Sequence, residues 1–209
     1  MPKGAAAFFL AMTLLGGCKA SPDKSGSAAV VEAAPPVYSE PPTIDAGLSV
    51  EQAYAAIPHR RTVWAESESS VPSQEKAYLS VMFQVLDQAV AVRVASLQNY
   101  SNKRFDDSDT DAQFERLITF VRGMPVPNAL SAYHKDILDG LSGQRRFFQD
   151  WKSARGGFAY AQQIGNHAAV RSSSAALRAA YNELMAKYPS EAQANKDAFF
   201  DYHCALDSL

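Results

Sequence analysis

Residues 73–100 read SQEKAYLSVMFQVLDQAVAVRVASLQNY, a stretch with neither glycine nor proline. With Pro72 beside its start and no breaker inside, the run predicts one helix from about Ser73 to Tyr100. Leu79, Val81, Met82, Phe83, Val85, Leu86, Val90, Val92, Val94 and Leu97 occupy most of the circumference of that helix. No face is left for water, which places it at the centre of a bundle. Val90, Val92 and Val94 alternate, and a strand is the minor alternative over those few residues. Arg93 is the oddest charge in the chain. At 100° per residue it lines up with Met82, Leu86, Ala89 and Leu97, opposite Gln84, in the middle of the buried face. An unpaired charge there is costly, which predicts a carboxylate partner from among Asp136, Asp139, Asp150 and Asp201, or a ligand carboxylate or phosphate held in an internal pocket.

Outward from this centre the pattern stays helical. Ser49 followed by Gln52 resembles a capping box opening a short helix through Ile57, which Pro58 ends by disfavouring the α region before it. Thr110 with Gln113 caps a helix through about Arg122, carrying Phe114, Leu117, Ile118 and Val121 on one face. Pro125 and Pro127 separate it from a helix running from about Asn128 to Lys152, with Leu130, His134, Ile137, Leu141, Phe148 and Trp151 on one stripe. Gly140 and Gly143 weaken that helix by about 1 kcal/mol each. Asn166 can cap a further helix bearing Val170, Leu177, Tyr181, Leu184 and Tyr188, and Pro189 with Ser190 to Gln193 starts a sixth. The expected fold is all-α, a bundle of about five to six helices over residues 48–209, with short turns making antiparallel neighbours.

The N-terminus is organised differently. Lys3 supplies a positive charge, Ala5 to Leu15 form an apolar run interrupted by Thr13, and Leu15-Gly16-Gly17-Cys18 follow. The apolar run is too short for a membrane helix, which needs about 20 residues, and has the layout of a cleaved signal over residues 1–17. Leu15, Gly17 and Cys18 match the lipobox of bacterial lipoproteins, which the first 18 residues resemble; Gly16 is the less usual occupant of its position. That resemblance implies that Cys18 becomes the first mature residue and carries a lipid, that several acyl chains at about 0.8 kcal/mol per buried CH₂ tether the protein, and that it faces the periplasm or the surface. Lys19 is not acidic, which favours the outer over the inner membrane of the cell envelope. From Cys18 to about Gly47 the chain is rich in Ala, Ser and Pro, the composition of a disordered linker. About 28 such residues average about 30 Å as a coil and reach about 90 Å in polyproline geometry.

Composition excludes more than it assigns. Twenty basic and 22 acidic residues give a net charge of -2, with no electrostatic case for a nucleic-acid partner. Of the 2 cysteines, lipidation consumes Cys18, so Cys204 reads as a small buried hydrophobe or a site for an intermolecular bond. Asp107, Asp109 and Asp111 imitate the first ligands of an EF-hand loop, but Ala112 stands where the turn needs Gly and Ile118 where a bidentate Glu is needed. Acids stabilising the start of a helix account for the run. His59, His134, His167 and His203 lie on four different segments without metal-motif spacing, so no metal and no cofactor is expected. Gly140-Leu141-Ser142-Gly143-Gln144 matches only the start of a nucleophile elbow, and no P-loop or dinucleotide fingerprint occurs. The functional expectation is a lipid-anchored, non-enzymatic envelope module that binds a protein partner, with the connector residues His59, Arg60, Arg61 and Trp64 as its candidate surface; burial of Trp64 in the core is equally compatible with the sequence. The alternative is a small-ligand or metal-binding bundle with an interior pocket near Arg93 and His134.

Overall fold

The computed structural model describes residues 36–107 and 109–207, and seven α-helices fall within them. They are α1 (Val50–Ala55), α2 (Ser73–Ser101), α3 (Thr110–Gly123), α4 (Ser131–Ala154), α5 (Gly157–Ala161), α6 (Ala168–Lys187) and α7 (Gln193–Asp207), with no strand among the described residues. The fold is all-α, with five long helices and two of five or six residues. The proposed signal, Cys18 and the linker as far as residue 35 lie outside the described residues.

α2 is the axis. Seventeen of its 29 residues are buried, from Tyr78 to Tyr100, and α1, α3, α4, α5 and α7 pack around it, while α6 packs on α4 and α7. The helix is long and apolar enough to cross a membrane, yet its apolar stretch is covered by its neighbours, as in the centre of a water-soluble bundle. Aromatic clusters fill both ends. Near the start of α2, Phe83 stacks on Tyr202 at 4.5 Å and meets Trp64 edge-on at 5.2 Å; at its end, Tyr100 meets Phe148 and Trp151 edge-on at 5.7 and 5.6 Å. Such pairs add about 0.5–1.5 kcal/mol each beyond the area they bury.

Helix starts follow local chemistry, and two differ from the sequence reading. Ser49 and Gln52 form the expected capping box: each side chain accepts the other residue's backbone N–H, at 3.2 and 2.7 Å. Asp109, not Thr110, occupies the cap position of α3, and Thr110 is its first helical residue. The buried Thr110 hydroxyl lies 2.7 Å from Ser96 Oγ, which itself donates to Val92 O; the threonine therefore serves as the donor that joins α3 to α2. His167, not Asn166, caps α6, its Nδ1 accepting from Ala169 N at 3.2 Å, because Asn166 closes a preceding 3₁₀ turn.

The segment that composition assigns to the linker also contributes to the body. Tyr38 packs edge-on against Tyr78, Ile44 N donates to Gln88 Oε1 at 2.9 Å, Gln113 donates to Asp45 O, and Ala46 is buried. Residues 36–47 carry few apolar groups; Tyr38, Ile44 and Ala46 lie against the core, while Val37 is exposed.

The two glycines that weaken α4 as an isolated helix allow its closest approach to α6. A Cβ on Gly143 would lie 2.8 Å from Ser173 Cβ and 3.0 Å from Ala169 O; a Cβ on Gly140 would meet the Leu177 side chain at 2.9 Å. Leu177 can rotate, whereas the Ala169 carbonyl is fixed by its helix. Gly143→Ala gains about 1 kcal/mol of helix propensity but overpacks this contact, typically at 1–3 kcal/mol. The expected result in urea unfolding is a net loss of stability for Gly143→Ala and a smaller change for Gly140→Ala.

Candidate functional site

Arg93 is buried as expected, at 1 % exposure, but its partner is not a carboxylate. Its Nε donates to Gln144 Oε1 at 3.1 Å, while Nη1 and Nη2 have no hydrogen-bond partner. Gln144 Nε2 donates in turn to Ser173 Oγ at 3.0 Å and Leu206 O at 3.2 Å, and Ser173 Oγ donates to Gly140 O at 2.8 Å. One buried network thus joins α2, α4, α6 and α7. Three of the four expected carboxylates are committed elsewhere, Asp139 to Lys135, Asp150 to Arg146 and His167, and Asp201 to Arg60 and His59; the fourth, Asp136, lies half-buried near the start of α4, eight residues before Gln144. Burial pulls the Arg93 pKa down to about 10, against a smaller opposing pull from Asp207.

His134 belongs to a different place. It is half-buried near the start of α4, with Nδ1 2.9 Å from Tyr78 Oη, and burial lowers its pKa. Ten residues separate it from Gln144 on the same helix, about 15 Å of axial rise. Arg93 and His134 are therefore not brought into one pocket.

The connector residues are held inward. Trp64 is buried at 7 % exposure between Phe83 and Phe199, so it anchors the core instead of offering a surface. Arg61 grips the buried Asp87 carboxylate with both Nε and Nη2 and reaches Glu51 at 3.3 Å. His59 stacks near Phe200, with centroids 5.9 Å apart, and Arg60 bridges Asp197 and Asp201 at 3.2 Å while staying exposed. What remains open on this face is Arg60, Val63 and Phe200. No family model matches the chain, nor does any curated protein or solved structure.

The acidic run is spread among basic partners. Asp106 faces Lys152 and Arg155, Asp107 faces Arg104, and Asp111 is clamped by Arg145 and Gln149. Among the described residues no group of three His, Cys, Asp or Glu could hold a metal ion. Asp107 and Asp109 line a surface cleft of about 880 Å³ with Asp45, Gln98, Arg104 and Arg116. Its charges are of both signs, which gives it no net preference for an anion or a cation.

Sequence reasoning missed two buried titratable groups. Glu191 Oε2 accepts from Ser69 Oγ at 2.7 Å and from Ser70 N at 2.9 Å, while Oε1 accepts from Ala192 N and Asn195 Nδ2, both at 3.0 Å. Burial opposes the charge, yet these bonds outweigh it and hold the carboxyl down at about 2. His203, 3 % exposed, has Nδ1 2.6 Å from Phe199 O; burial keeps its pKa down near 4, and its Nε2 is buried without a partner. A glutamate at a helix entry and a histidine in a mixed segment give no sequence signal for such burial. Cys204, next to it, is half-buried on the rim of a cleft between α6 and α7.

Both groups titrate lower in the folded than in the unfolded chain, so both stabilise the fold above their unfolded pKa values and lose that contribution as pH falls. His203 acts from about pH 6.5 down to 4, and Glu191 from about pH 4.5 down to 2. Urea unfolding against pH is expected to show stability falling through both windows. Glu191→Gln flattens the lower limb and costs on the order of 2–4 kcal/mol at pH 7 through the lost charge-assisted bonds; His203→Gln flattens the upper limb. An unchanged profile in either variant contradicts that assignment.

Proposed function

We propose that this chain is a lipid-anchored module of the bacterial cell envelope, placed at the outer membrane and binding a protein partner through its helical surface without catalysis of its own. The observation that carries the reading is the run Leu15-Gly16-Gly17-Cys18 at the end of a short apolar segment. A lipidated Cys18 explains how a chain whose one long apolar helix is buried in its own core reaches a membrane.

The binding surface in this reading is the open part of the connector face, Phe200 with Arg60 and Val63 beside it. Aromatic and arginine side chains are the favoured anchors of protein contacts. Arg61 and Trp64 contribute by fixing the connector, not by touching the partner.

Two measurements test the reading. Cys18→Ser is expected to move the protein from the membrane to the soluble envelope fraction with its thermal midpoint unchanged; continued membrane retention overturns the anchor. A photo-crosslinker at position 200 in intact cells is expected to capture one discrete envelope protein, and Arg60→Glu to reduce the yield severalfold. Capture of lipid alone overturns the partner assignment while leaving the anchor standing.

A further inference from the structure

Arg93 combines full burial with donors that nothing satisfies. A guanidinium has five N–H bonds in a fixed fork; here one is used, by Gln144, and the two terminal nitrogens have no acceptor. The surrounding polar groups are already committed. Gln144 spends its oxygen on Arg93 and its amide on Ser173 and Leu206 O, and the Ser173 hydroxyl goes to Gly140 O. The carboxylate whose field acts on Arg93 is Asp207, but its oxygens face the other way, toward the Ser174 hydroxyl and toward Arg178 at 3.8 Å. Arg93 keeps its charge at neutral pH, since burial brings its pKa no lower than about 10. A buried cation with no counter-ion carries a desolvation penalty that the Gln144 contact alone does not offset.

We propose that Arg93 binds a small monovalent anion, of halide or formate size, where α2, α4, α6 and α7 meet. One cation and two free N–H pairs fit a single negative charge. A phosphate would bring a second charge, and the network around Arg93, made of Gln144, Ser173 and Leu206 O, holds no further cation to neutralise it. A cleft of about 110 Å³ lies between α6 and α7 and reaches Asp207, whose field acts on Arg93, but Arg93 is not part of its lining. The site keeps the Arg93 of the pocket expected from the sequence but not its His134, and it takes a smaller, monovalent anion.

The test uses the native chain. Crystals soaked in bromide are expected to show an anomalous peak within about 3.5 Å of Arg93 Nη1 and Nη2. In thermal unfolding at constant ionic strength with gluconate as the balancing anion, each tenfold rise in bromide above its dissociation constant raises the midpoint by about 4 °C. A parallel formate series decides between a halide and a carboxylate as the ion the site prefers. Arg93→Met removes the dependence, and Asp207→Asn retains it. The proposal is overturned if the native chain unfolds identically in bromide and gluconate, or if a water or the Asp207 carboxylate occupies the guanidinium. It is equally overturned if bromide appears only at the surface, as an adventitious ion only. Should Arg93→Met fail to fold, the bromide density in the native crystal decides alone.

Discussion

Burying most of the circumference of Ser73–Ser101 sets the terms for the remaining structure. A helix of 29 residues with 17 of them buried needs neighbours on most of its faces, and the chain supplies α1, α3, α4, α5 and α7 as direct neighbours. Where helices alone leave a gap, the connector inserts Trp64 against Phe83, and the extended segment before α1 adds Tyr38 against Tyr78. Polar residues of the outer segments then serve to hold these pieces in position. Arg61 on Asp87 and Gln88 on Ile44 each tie an irregular segment to a helix, and Glu191 gathers the Ser69 hydroxyl, the Ser70 backbone and Asn195 of α7.

The same constraint explains which features were readable from sequence. α2 was legible almost to the residue, because breakers bound it and its composition admits a single environment. The Ser49 box was legible because capping is a local matter of three residues. Asp109 and His167 were not, since each has a neighbour that is itself a competent cap, and the choice is made by the surrounding structure: Thr110 is drawn into the core by Ser96, and Asn166 is consumed by a 3₁₀ turn. Burial of Arg93 followed from its position on the helix, whereas Gln144 as its partner did not. Gln144 lies on the inward side of α4, but nothing in a pattern of apolar residues tells which buried polar group meets which. Trp64 reads from sequence equally as a binding anchor or as a core residue, and its long-range packing against Phe83 of α2 and Phe199 of α7 decides for the core.

The connector and the interior also separate position from chemistry. His59, Arg60 and Arg61 looked like an exposed basic surface. Apart from Glu51, which Arg61 also reaches, their carboxylate partners Asp87, Asp197 and Asp201 lie 26 to 142 residues away in the chain and could not be seen as neighbours. Once these charges are paired, the outward chemistry of this face shrinks to Phe200, Val63 and the exposed side of Arg60.

α2 buries two opposite charges six residues apart, and the two are treated differently. Asp87 meets a guanidinium in the bidentate geometry that best repays desolvation, and a hydrogen-bonded pair of this kind tolerates a low-dielectric setting. Arg93 meets an amide. A carboxylate at position 144 would pair with it better, but it would lose the two donations that Gln144 Nε2 makes to Ser173 Oγ and Leu206 O, and with them the tie between α4, α6 and the end of α7. Gln144 is thus committed to holding three helices together, and the charge of Arg93 is left for another group to balance. Asp207 is the described carboxylate whose field reaches it, yet Ser174 and Arg178 draw that side chain toward the outer edge of α6. The interior of the bundle therefore combines a closed hydrogen-bond frame with a fixed positive charge inside it, the arrangement that makes a small anion a structural component of the fold.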